Sequence, residues 1–123
     1  MPHDAEGKER SATSEEIALI KRLIEADFPG AVELRQQLTQ AQVTYIEDHV
    51  PALLCRVPAS ALTAPVTKRV PVEAEFPDQD GVIMHLLVHV VDGRLEELNI
   101  FREDGGRILC MPPASALVPL IFG

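Results

Sequence analysis

The chain has 123 residues, enough for one domain with its own core and too short for two ordinary ones. Nineteen acidic against eleven basic residues leave a formal charge of −8, and aromatics are only 4%. Neither the phosphate-neutralising surface nor the stacking platform of a nucleic-acid binder is provided for. At 46% hydrophobic the composition is that of a folded chain with an aliphatic core.

Residues 1–12 (MPHDAEGKERSA) read as a flexible hydrophilic tail with no apolar run of the secretory-signal type. Residues 13–123 read as a single α+β domain. Thr13 and Glu16 form a T-x-x-E capping box, and Ile17, Ile20, Leu23 and Ile24 follow on one helical face. This helix is expected to end near Ala26 or Asp27, ahead of Phe28-Pro29-Gly30. A second, shorter helix begins near Gly30, with Val32, Leu34 and Leu38 as its apolar positions.

After Gln40 the pattern turns to strands. Val43 to Ile46 is the first, Glu47-Asp48-His49 a turn, and Leu53 to Val57 the second. Pro58 to Pro65 is a loop. Residues 70–76 alternate cleanly, and Pro71 marks this strand as an edge or a bulge. Asp-Gly then recurs at 80–81, 92–93 and 104–105, twelve residues apart, with apolar and β-branched residues between. That spacing predicts an antiparallel meander of strand, turn, strand, turn. Its strand Val82–Val91 is almost wholly apolar, which predicts a central strand covered on both faces. In the next strand Leu95 is out of phase with Leu98 and Ile100, which predicts a bulge near Glu96-Glu97. Arg107 to Met111 is expected as a last short strand, and ALVPLIF as a segment docked on the core. The fold class expected is α+β, one or two N-terminal helices packed on an antiparallel meander of about five strands.

Cys55 and Cys110 are far apart and flanked by apolar residues, the pattern of reduced, buried thiols in a cytoplasmic protein. No uncharged apolar stretch approaches the ~20 residues that cross a bilayer, so no membrane is expected. Neither a P-loop nor a G-x-G-x-x-G pattern occurs, which leaves nucleotide binding without support.

The candidate site residues are His85, His89, Glu97 and Asn99. The two histidines share one strand face but stand ~13 Å apart, too far to share one metal ion. Each needs partners from a neighbouring strand, such as Glu73, Glu75, Glu97 or Asn99. The plain alternative is that both histidines are hydrogen-bonded residues of a semi-polar face. Glu73, Glu75, Glu96, Glu97, Glu103 and Asp104 supply carboxylates to the same meander, where solvated strands place them without any catalytic need. Asp78-Gln79-Asp80-Gly81 reads as a hairpin turn; in calcium-loop register Phe76 would fall on the first ligand position. No catalytic residue, metal site or cofactor is expected.

Residues 78–105, DQDGVIMHLLVHVVDGRLEELNIFREDG, resemble a pattern of small uncharacterised bacterial domains. In it an acidic turn leads to an apolar strand, then G-x-L-x-E-L-x-I and a final acidic-Gly turn. Leu95, Glu97, Leu98 and Ile100 carry its most particular part. Some similar small acidic domains are toxin-immunity proteins, so the resemblance implies a binding role and brings no catalytic residues. Two functions follow. The first is a non-catalytic protein-binding module, immunity-like or homodimeric. The alternative is a small-ligand or metal-dependent enzyme using His85 or His89 with nearby carboxylates.

Overall fold

The computed structural model describes residues 8–122. Helix α1 spans Ser14–Ile24 and opens on the capping box read from the sequence. The Glu16 N–H donates to Thr13 Oγ1 at 3.2 Å, and the Thr13 N–H donates to Glu16 Oε1 at 2.9 Å. Leu19, Ile20, Leu23 and Ile24 form its buried stripe. Helix α2, Ala31–Gln40, starts after Gly30, whose φ of +92° suits glycine. A Cβ there would also lie 2.5 Å from Val66 Cγ2. The Arg35 guanidinium reaches back to the free carbonyl of Ile24 at 2.7 Å, so α2 caps the end of α1.

Seven strands follow one another as β1 (Lys8–Ser11), β2 (Gln42–Glu47), β3 (Ala52–Arg56), β4 (Val72–Pro77), β5 (Ile83–Val91), β6 (Arg94–Arg102) and β7 (Leu120–Ile121). They make one antiparallel sheet in the order β1-β2-β3-β6-β5-β4-β7. The expected α+β class and the meander β4-β5-β6 are present, and the sheet has seven strands where about five were expected. The two additions are edge strands too short to show alternation. One of them corrects the reading of residues 1–12 as a tail: Lys8–Ser11 pairs with β2, and Arg10 is bonded to Glu16 at 2.7 and 2.8 Å. The remainder of that segment, 1–7, lies outside the described residues.

Asp92 and Gly93 both have positive φ, 51° and 73°, as a two-residue hairpin turn requires. The bulge falls where Leu95 predicted it. His89 pairs with Glu97 and Val90 with Leu95, so Glu96 is unpaired. That extra residue lets Leu95, Leu98 and Ile100 all point into the core. They pack with Val72, Ala74, Leu86, Val88 and Leu53 against the stripes of α1 and α2.

Three further expectations are corrected. β5 is covered on one face only: Met84, Leu86, Val88 and Val90 are buried, whereas Ile83, His85, Leu87, His89 and Val91 stay partly exposed. Both helices lie on the same side, and a short link from Gln40 to Gln42 leads straight into β2. Pro71 lies just ahead of β4 and not inside it, and β7 covers the outer side of β4 only at Val72 and Glu73. Residues 107–111 form no strand; the Leu109 and Cys110 N–H groups donate instead to the Asp78 carboxylate. Of ALVPLIF, Leu117 docks on the core and Leu120–Ile121 extends the sheet.

The buried Gln37 latches helix to sheet. Its Nε2 donates to the carbonyls of Leu62 (2.8 Å) and Gly93 (2.9 Å), and its Oε1 accepts from the Leu95 N–H at 2.8 Å. This ties the loop after β3 and the β5–β6 turn to α2. It leaves the opposite face of the sheet free of helices.

Candidate functional site

Antiparallel pairing sets the residues of the helix-free face in rows. Thr44, Leu54, Glu97 and His89 form one row, and Ile46, Ala52, Asn99, Leu87, Glu73 and Leu120 the next. Phe101, His85 and Glu75 form a third. All four candidate residues therefore lie on this face.

The structure brings three of them together. His89 stands opposite Glu97, and Asn99 Nδ2 donates to Glu97 Oε2 at 2.6 Å. Arg69 Nε donates to His89 Nδ1 at 3.4 Å. His85 sits apart in its own group. Its ring stacks on Phe101 with centroids 5.2 Å apart. Its Nε2 lies 3.0 Å from Glu103 Oε1, and its Nδ1 lies 3.7 Å from Glu75 Oε2. Sequence reasoning named the carboxylates but missed Arg69 and Phe101. The hairpin register alone would set His85 against Ile100; the bulge at Glu96 moves every pairing beyond it by one residue and brings in Phe101.

A second charged cluster occupies the same end of the sheet on the helix-covered side. Arg102 is nearly fully buried. Its guanidinium bonds Asp78 at 3.0 Å, Asp80 at 2.8 and 3.0 Å, and Asp104 at 2.8 Å, with Nε on Asp104 at 3.0 Å. The Asp78 carboxylate also accepts from the N–H groups of Gln79, Leu109 and Cys110. Burial pushes the Asp78 pKa up, but these hydrogen bonds outweigh it and hold it below the usual range. Hydrogen bonds from Arg102 also lower Asp80 and Asp104, with a further bond from the Gly106 N–H to Asp104. The arrangement joins the β4–β5 hairpin turn, the turn that ends β6 and the following loop. Its carboxylates are spent on Arg102, which suits a structural staple.

Cys55 and Cys110 are free thiols, and Cys110 is exposed, against the expectation that both are buried. Burial, with Glu96 and Glu97 nearby, pushes the Cys55 pKa up to about 12, so that thiol stays protonated at neutral pH. A groove of about 580 Å³ runs between the start of α1 and the Met111–Ala114 segment. A smaller one of about 240 Å³ is lined by Thr44, Leu54, Arg56 and Glu96. Neither is lined by His85 or His89.

No helix among the described residues is long and apolar enough to cross a membrane. No curated protein and no solved structure matches the chain. A family model described as "Domain of unknown function (DUF6984)" matches residues 9–112, from β1 to just beyond the Asp78 staple, and the chain belongs to that family.

Proposed function

We propose that this domain is a non-catalytic protein-binding module whose contact surface is the helix-free face of the sheet. One observation carries the reading: the helix-free face exposes large apolar side chains interleaved with carboxylates. Leu54, Phe101 and Leu120 are 38%, 36% and 43% exposed; Leu87 lies diagonal to Phe101, Glu97 stands beside Leu54, and Glu73 stands between Leu87 and Leu120. Large apolar side chains grouped on one open face gain by desolvation when a partner covers them. A formal charge of −8 steers a basic partner toward that face. A basic protein is therefore the preferred occupant, as for an immunity-like inhibitor acting in a bacterial cytoplasm. A second copy of the chain is the competing one. The protonated Cys55 and the aspartates held by Arg102 are poorly suited to a catalytic role.

The test compares immobilised wild-type protein with Leu54→Arg and Phe101→Arg variants in lysate of the source organism. The reading expects a basic protein retained near stoichiometry by the wild type and lost from both variants. Light scattering of the purified protein checks self-association: a dimer broken by both substitutions assigns the face to a second copy. Identical retention by all three proteins, with a monomer throughout, would overturn the reading.

A further inference from the structure

Glu73 and Glu75 are two residues apart on β4, so both project from the helix-free face. The register sets His85 directly opposite Glu75 and Leu87 opposite Glu73, leaving the imidazole diagonal to the Glu73 carboxylate. One oxygen from each glutamate and one imidazole nitrogen lie within 4.8 Å of one another. His85 Nδ1 and Glu75 Oε2 are 3.7 Å apart. Two ligand atoms bound to one tetrahedral zinc ion stand roughly 3.3–3.6 Å apart, so small side-chain rotations suffice.

The second imidazole nitrogen is already placed for this arrangement. Nε2 lies 3.0 Å from Glu103 Oε1; in the tautomer that donates there, Nδ1, 3.7 Å from Glu75 Oε2, keeps its lone pair for a metal ion. Ligating histidines are oriented by just such an outer carboxylate. Stacking on Phe101 fixes the plane of the ring.

Charge points the same way. Three carboxylates gather around one imidazole, and among the described residues no Lys or Arg pairs with any of them. The three aspartates on the other face, by contrast, share Arg102. A divalent cation would supply the charge that the open cluster lacks. We propose that Glu73, Glu75 and His85 form a binding site for one divalent transition-metal ion of the zinc type, with Glu103 as the positioning residue. One imidazole and two carboxylates are a mixed nitrogen and oxygen donor set, which favours zinc over magnesium or calcium. The remaining coordination position faces solvent on the same side as the proposed contact surface. The metal site is read on the isolated protein and stands whether or not a partner is found.

Calorimetric titration of the isolated protein with zinc at neutral pH tests it. The expected result is one ion per chain, with Kd at or below about 10 μM. His85→Ala and Glu73→Gln should each weaken binding at least tenfold, and Glu103→Gln by about 10- to 100-fold. Glu15→Gln, exposed on α1 on the helix-covered side of the sheet, should retain wild-type affinity, and magnesium should bind at least about 100-fold more weakly. None of these side chains belongs to the buried core, so circular dichroism of the variants should match the wild type. Absence of zinc uptake by the wild type at about 1 mM would overturn the site. So would wild-type affinity in the near-isosteric Glu73→Gln variant.

Discussion

Arg102 and Glu103 are neighbours in sequence, yet they serve two acidic clusters on opposite faces of one sheet. On the covered side, Asp78, Asp80 and Asp104 surround a single buried guanidinium that bonds all three. On the open side, Glu73, Glu75 and Glu103 surround His85, with the shortest contact at 3.0 Å. The two sets have nearly the same composition. What separates them is whether a permanent cation with five donors stands at the centre. The first cluster is complete and holds the fold; the second has capacity left for a ligand.

The contrast can be broken or sharpened by substitution. Arg102→Ala should give the largest loss of stability, read as a fall in the urea midpoint. It leaves the Asp78 carboxylate buried without its cation and unties two turns. An unchanged midpoint would remove the staple from the account. Acid should act through the same group. A carboxylate whose folded pKa is depressed contributes stability above its unfolded value, lost as pH falls through the folded one. Asp78, Asp80 and Asp104 are all lowered from 3.8. The wild-type melting temperature should therefore hold down to about pH 4 and then fall, and Arg102→Ala should show a shallower fall.

Gln37→Leu comes next. It removes the side-chain partner of the Leu95 N–H and the Leu62 carbonyl, while the Gly93 carbonyl keeps the Ala64 N–H. A loss of about 3 kcal/mol is expected by urea unfolding, and a neutral result would mean the latch is dispensable. Thr13→Ala should cost about 1 kcal/mol through the α1 cap, detectable in the same assay. Glu75→Gln should have the smallest effect, within about 0.5 kcal/mol and toward greater stability, because it removes one of several crowded negative charges. A large loss there would make the open cluster structural as well.

Both helices, the meander and the bulge were legible because each has a local cause. The Thr13/Glu16 box, the Ile17-to-Ile24 stripe, the Asp-Gly turns and the phase break at Leu95 act over a few residues. The site was only half legible. His89 stands opposite Glu97, and Asn99 bonds Glu97, because the bulge at Glu96 sets that register. Arg69 comes from the irregular segment before β4, and no pattern in the sequence ties it to His89. Asp78 resembled part of an ordinary turn until Leu109 and Cys110 folded back onto it.

From the sequence alone came the α+β class, the strand faces and the acidic, aliphatic character of the chain. Periodicity, capping and turn chemistry are short-range properties of the backbone and need no knowledge of the fold. Tertiary structure alone decided which side of β5 the helices cover and that Lys8–Ser11 and Leu120–Ile121 join the sheet. It also decided which histidine keeps company with Glu73, Glu75 and Glu103. Those outcomes depend on packing and on cross-strand register between residues far apart in the chain, where a single unpaired residue, Glu96, shifts every later partner by one.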